Sequence, residues 1–171
     1  MAVLNPVHLL EQAELLLKSR HSGGLVRQAD RRRAISSAYY AVFHFILTAA
    51  ADQFVGNKER RSAQYSLVYR SIDHNDLKNI CDIASNRKLS DKYKQYVPEE
   101  GFGPNIVEFA TLALELRSKR HSADYDPSHW VKVADANSAI LAARSAMLRF
   151  GKATSARRKS FLTLLVFKPR N

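Results

Sequence analysis

The chain has 171 residues, of which 46% are hydrophobic and 25% are charged. This length and composition predict one globular domain and exclude collagen, wholesale disorder and a disulfide scaffold. Lysine and arginine together number 27 against 16 aspartates and glutamates, a formal net charge of +11. Such an excess of positive charge favours polyanionic partners.

Cysteine usage and hydropathy predict a cytoplasmic protein without a membrane span. Cys81 is the single cysteine and cannot form an internal disulfide, which favours a reducing compartment. The longest apolar stretches, Ala41–Ala51 and Phe161–Phe167, are shorter than the roughly 20 residues that a bilayer requires. The N-terminal residues include Glu11 and Glu14 where a signal peptide would carry basic residues.

The first third of the chain has the periodicity of helices. Asn5-Pro6 is typical of a helix start, and residues 21–24 would end this first helix. The segment Leu25–Val55 contains no glycine or proline and predicts one long helix. Its apolar residues recur every three or four positions, and those that we expect to be buried are Ile35, Tyr39, Val42, Ile46 and Ala50.

The segment Lys58–Val97 also lacks glycine and proline and predicts two shorter helices. Their joint lies at residues 71–75, where Asp73 or Asn75 would cap the second helix. The residues that the first of these helices is expected to bury are Ala63, Leu67 and Val68. Those that the second is expected to bury are Leu77, Ile80, Cys81 and Ala84.

The remainder of the domain predicts two further helices. The polar segment Lys88–Gly103 is typical of a long loop with some local helix, and Pro104 would open the next helix. The predicted buried face of that helix is Ile106, Phe109, Ala110, Ala113 and Leu116. The alanine-rich segment Val133–Phe150 predicts a last helix that Gly151 closes. The predicted fold is all-α, an up-and-down bundle of about five principal helices.

A basic tail, residues 152–171, follows the predicted bundle of residues 1–151. The tail carries six basic side chains and no acidic one. Residues 153–160 are typical of a linker, whereas the apolar run Phe161–Phe167 is of a kind rarely left in water. We expect this run to dock on its own chain or a neighbouring chain as a short strand or helix. The basic residues expected to stay exposed are Arg157, Arg158 and Lys159.

The long predicted helix carries a run of arginines followed by aromatic residues, Arg31–His44. Tyr40 and His44 lie four residues apart and therefore share one helical face. One interpretation is a set of core aromatic residues beside solvated arginines. The other is a functional surface in which Arg33, Tyr40 and His44 bind or position a ligand.

A second cluster of polar residues lies at the end of a later predicted helix. Arg117 and His121 are spaced four residues apart, as are Arg120 and Asp124. One interpretation is helix capping with an intrahelical ion pair, which contributes about 0.3–0.5 kcal/mol. In the other, the arginines hold a phosphate while the histidine transfers a proton. The adjoining pair His129-Trp130 is expected to pack within the loop.

Taken in this order, the segments RRAISSAYYAVFHF at Arg32–Phe45 and RHSADYDP at Arg120–Pro127 resemble the HEPN domain family of small helical bundles. The resemblance covers roughly Asn5–Gly151. It implies a homodimer that binds RNA or a nucleotide. Many members look like metal-independent endoribonucleases of toxin–antitoxin or defence systems, often encoded beside a nucleotidyltransferase antitoxin. The resemblance implies neither a metal ion nor a cofactor.

For a member that cuts RNA, the resemblance implies attack of a ribose 2′-OH on the adjacent phosphate. His121 would then act as acid and base, and Arg117 and Arg120 would neutralise the phosphate, with Asp124 and Tyr125 as positioning residues. Arg117 and His121 are closer together than the family's catalytic arginine and histidine, so RNA binding without cleavage is an alternative. Further alternatives are a non-catalytic partner of a nucleotidyltransferase or another protein, and a helical dimer with a basic surface.

Overall fold

The computed structural model describes residues 4–19, 24–86 and 88–169, and every regular element in these ranges is helical. The α-helices, in chain order, are α1 Pro6–Lys18, α2 Gln28–Phe54, α3 Ala63–Arg70, α4 His74–Ser85, α5 Asp91–Lys94, α6 Gly103–Tyr125, α7 Val133–Lys152 and α8 Ser155–Val166. The all-α class is confirmed. The described ranges hold more helices than the five or so predicted, because short helices and a C-terminal helix also form.

The first helix starts as predicted. The Asn5 side chain accepts a hydrogen bond from the backbone N–H of Val7, and Pro6 occupies the first turn. α1 ends at Lys18, and most of its predicted end, at residues 21–24, lies outside the described residues.

The central helix is α2, which packs against α1, α3, α6, α7 and α8. All five of its apolar residues predicted to be buried are buried. By length and composition α2 could cross a membrane, but 72% of its most apolar stretch is buried inside the protein. That degree of burial is typical of the core helix of a globular protein.

The joint between α3 and α4 forms where the sequence predicts it. The Asp73 side chain accepts hydrogen bonds from the backbone N–H groups of Asn75 and Asp76, and the Asp76 carboxylate accepts one from the backbone N–H of Asp73. This capping box fixes the start of α4. The four residues predicted for the buried face of α4 are all buried.

The predicted buried face of α3 is wrong. Leu67 is 72% exposed and Ala63 is exposed, whereas Tyr65 is fully buried. The hydroxyl group of Tyr65 donates to the carboxylate of Asp52 on α2, with an oxygen–oxygen distance of 2.9 Å. α3 therefore packs on the core through the ring of Tyr65, whose hydroxyl group is hydrogen-bonded to Asp52. The spacing of apolar residues does not predict such a contact.

The C-terminal tail docks on its own chain as helix α8. Thr154 caps α8 by accepting from the backbone N–H of Arg157, so residues 155–160 are helical and the linker prediction for them is wrong. Gly151 does not end α7, which continues to Lys152. The buried apolar residues of α8 are Phe161, Leu162, Leu164 and Leu165, and they join the main core.

Two of the three arginine and lysine residues expected to be exposed in the tail are partly buried. The guanidinium group of Arg157 lies against Gly103, where an added Cβ would come within 2.5 Å of it. Arg158 donates to the backbone carbonyl of Gly151 at 2.7 Å. Lys159 is exposed as predicted, and Arg170 lies outside the described residues. Arg157 and Arg158 thus contact residues before α8 and help to hold the start of this helix in place.

Candidate functional site

The two motifs of the sequence meet where the first half of α2 lies beside the C-terminal end of α6. Arg32 on α2 donates to the backbone carbonyls of Ala123 at 3.0 Å and Pro127 at 3.2 Å, and also to that of His129. The last carbonyls of a helix lack partners within the helix. Arg32 provides a partner for one of them, the carbonyl of Ala123, and its bonds to Pro127 and His129 hold the loop that follows, a role that the sequence did not predict.

Arg120 has its partners inside the protein. Its Nε atom lies 2.8 Å from the Asp124 carboxylate, and its Nη2 atom donates to the hydroxyl group of Tyr40 at 2.8 Å. The same carboxylate accepts from the buried hydroxyl group of Ser36 on α2. The Arg120 guanidinium also lies over the ring of Tyr125, 5.2 Å from its centre. With a side chain only 15% exposed, Arg120 ties α6 to α2.

His74, at the first position of α4, joins this cluster although the sequence did not single it out. Its Nδ1 atom lies 2.9 Å from the hydroxyl oxygen of Tyr39, and its ring centre lies 4.1 Å from that of Phe43. Burial, together with the charges of Arg120 and Arg117, lowers the pKa of His74. In the sequence, the predicted Asp73 cap places His74 at the start of a helix. It does not predict which residues the His74 ring contacts.

His44 forms a second histidine–tyrosine pair on the same side of α2. Its Nδ1 atom lies 2.7 Å from the hydroxyl oxygen of Tyr69 on α3, and its ring stacks with that of Tyr40 at 6.2 Å. Tyr40 and His44 therefore share a face as predicted. Burial lowers the pKa of His44, which favours a neutral ring.

The three residues predicted to be catalytic do not share one partner. Arg117 donates to the side-chain oxygen of Asn75 on α4 at 3.1 Å, whereas Arg120 turns toward α2. His121 is exposed, and its ring centre lies 5.1 Å from that of Tyr125. Thus Arg117 contacts α4, Arg120 contacts α2, and His121 lies in solvent.

The last residue of α6 and the segment after it carry exposed aromatic rings beside arginines. Tyr125 is 61% exposed and Trp130 is 68% exposed, so the prediction that Trp130 packs within the loop is wrong. The guanidinium of Arg31 lies 5.8 Å from the centre of the Trp130 ring and also donates to the carbonyl of Val131. We name Arg31, Arg120, Tyr125 and Trp130 the aromatic–arginine platform.

The described residues form an all-helical protein in which exposed aromatic rings lie beside guanidinium groups near the α2–α6 junction. Comparisons of the chain with protein-family models, with curated proteins and with solved structures find no match. Within the described ranges, no group of three or more His, Cys, Asp or Glu side chains is placed to hold a metal ion. The function is therefore inferred from the arrangement of the site itself.

Proposed function

We propose that the chain is a HEPN-like RNA-binding protein that holds single-stranded RNA on the aromatic–arginine platform. The observation that carries this proposal is the exposure of Tyr125 and Trp130, each with a guanidinium close to its ring. Unpaired bases stack on exposed aromatic rings, and positive charge beside the rings attracts the RNA backbone at long range. The formal net charge of +11 supports the same class of partner.

The contacts of Arg120 favour binding over cleavage. A catalytic arginine has to stabilise charge that develops on the phosphate, but Arg120 already pairs with Asp124 and Tyr40. Cleavage is the second candidate, and the observation in its favour is that His121 is exposed, four residues beyond Arg117. If the chain cuts RNA, His121→Ala should abolish cleavage of an end-labelled oligoribonucleotide and leave its affinity nearly unchanged.

Binding of a fluorescently labelled, unstructured oligoribonucleotide, measured by anisotropy, tests the proposal. Each lost base–aromatic stack costs about 1–3 kcal/mol, so Trp130→Ala and Tyr125→Ala should each weaken binding about fivefold or more. Tyr96→Ala is the matched control, because Tyr96 is exposed but lies in the loop after α5. Equal affinity of the wild type and both platform variants would overturn the proposal.

We further propose that the protein is a homodimer, as the resemblance implies. Exposed leucines support this proposal: Leu15 on α1 is 64% exposed, and Leu141 and Leu148 on α7 are 66% and 55% exposed. The pair between Arg144 and Glu14 joins these two helices. A nucleotidyltransferase or another protein partner is the alternative occupant of this surface.

A further inference from the structure

The outward face of α7 lacks the charged residues that usually cover the solvent side of a helix. From Ala136 to Gly151, the exposed residues are Asn137, Ser138, Leu141, Arg144, Leu148 and Gly151. Arg144 is the charged residue among them, and it is paired with Glu14 of α1 at 2.7 Å. A surface helix of a globular protein normally turns charged and polar side chains to water. This face of α7 therefore suits contact with another protein surface better than exposure to water.

The apolar residues of this face are arranged symmetrically. Leu141 and Leu148 lie at equal distances from a midpoint between residues 144 and 145. Three residues further out comes a small residue on each side, Ser138 on one and Gly151 on the other. In a two-fold interface, residue i of one copy contacts residue j of the other, and j contacts i. An antiparallel pair of α7 helices about this midpoint therefore sets Leu141 against Leu148 twice. A contact with a different protein needs no such symmetry, so the pattern favours a second copy of this chain.

The charges at the end of α7 favour the antiparallel direction. In a parallel pair the two C-terminal ends of α7 would lie side by side, and with them Lys152, Arg158 and Lys159 of both copies. An antiparallel pair places these basic residues at opposite ends of the contact, which avoids the repulsion between like charges. The two Arg144 residues lie near the midpoint, where each has the Glu14 carboxylate of its own chain as a partner.

We propose that this face of α7 is an antiparallel contact with a second copy of the chain, in which Leu141 of one copy packs against Leu148 of the other. The inference rests on the proposed homodimer and adds the interface and its direction. Val133 opens α7 three residues after Trp130. At a rise of about 1.5 Å per residue, the two Val133 residues of such a dimer lie about 35 Å apart along the helix pair. The two aromatic–arginine platforms therefore lie at opposite ends of the contact and do not form one joint site.

Cross-linking of single cysteines with a short bismaleimide linker tests this arrangement. Ser145→Cys lies beside the midpoint and should cross-link to itself in the dimer. The two copies of residue 138 lie about 20 Å apart along the pair, so Ser138→Cys alone should not cross-link. A mixture of Ser138→Cys and Lys152→Cys, left to exchange subunits, should cross-link because these positions lie opposite each other. The wild type is the control that should not react, because its native Cys81 is buried.

The outcomes separate this interface from the rest of the account. Cross-linking of Ser138→Cys to itself as efficiently as Ser145→Cys would indicate a parallel pair and overturn the proposal. A dimer in light scattering that Ser145→Cys fails to cross-link would also overturn it, and would leave the homodimer standing. A wild-type mass of one chain would overturn both the interface and the homodimer. The substituted residues lie outside the core of the protomer, and helical circular dichroism checks that each variant folds. RNA binding to the platform is measured without the linker and stands or fails separately.

Discussion

Substitution of Arg120 distinguishes a structural role of this residue from a ligand-binding role, because only the structural role requires a loss of stability. Arg120→Ala leaves the Asp124 carboxylate without its cation and the Tyr40 hydroxyl without its donor. Because the Arg120 side chain is largely shielded from water, we expect the free energy of unfolding in urea to fall by about 1–3 kcal/mol. Arg117→Ala removes one hydrogen bond to the exposed Asn75 and should have a smaller effect. Equal effects of the two variants would contradict the structural role of Arg120.

The half-buried histidines His44 and His74 predict how stability depends on pH. Burial lowers the pKa of His74 and of His44 below the ordinary value of 6.5, so near that pH the unfolded chain binds more protons than the folded one. The free energy of unfolding should therefore be highest above pH 6.5 and fall as the pH drops below it. His74→Phe should reduce this slope in urea denaturation between pH 5 and 7. His121→Gln, at an exposed ring, is the control; an unchanged slope in His74→Phe would contradict the assignment.

Contacts between residues close in sequence could be predicted, and contacts across the fold could not. The Asp73 cap and the Arg120–Asp124 pair follow from spacing within one helix or turn. The bond from Arg32 to the end of α6 spans more than ninety residues, and the His74–Tyr39 pair spans 35. Helical periodicity says which face a side chain occupies, but not which helix will lie against that face.

Among the elements, α8 gives the sharpest test because its residues were expected to form a linker and an apolar run. Phe161 is fully buried, with ring contacts to Phe102, Phe109 and Phe150. Phe161→Ala should lower the free energy of unfolding by about 3–5 kcal/mol in urea denaturation, since it opens a cavity in the main core. The control is Phe167→Ala at a ring that is 58% exposed. Similar, small effects of both variants would show that α8 is not part of the core.

The elements that the sequence predicted well are those whose buried face is apolar. α2, α4 and α6 bury the residues that periodicity selects. The docking of the apolar half of α8 is confirmed, whereas its first half is mispredicted because Arg157, Arg158 and Lys159 make it look like a linker, although Thr154 caps it. The face of α3 was missed because its anchor, Tyr65, depends on a carboxylate of another helix.

At the scale of the whole molecule, the exposed leucines of α1 and α7 predict self-association. We expect light scattering to give twice the chain mass of 19.3 kDa. Leu141→Asp together with Leu148→Asp should return the protein to the mass of one chain without loss of helical circular dichroism, because both side chains are exposed in the protomer. A wild-type mass of one chain at micromolar concentration would contradict the dimer.

Trp130 reports directly on whether RNA lies on the aromatic–arginine platform, as we propose. Trp130 is the single tryptophan of the chain, so the intrinsic fluorescence excited at the indole band arises from the platform itself. Titration with an unlabelled, unstructured oligoribonucleotide should quench and shift this emission as bases stack on the ring. The quenching should weaken with added salt, because salt screens the attraction between the positively charged protein and the RNA phosphates. RNA binding that is detected by anisotropy but leaves the Trp130 emission unchanged, or an absence of RNA binding at low salt, would contradict the account.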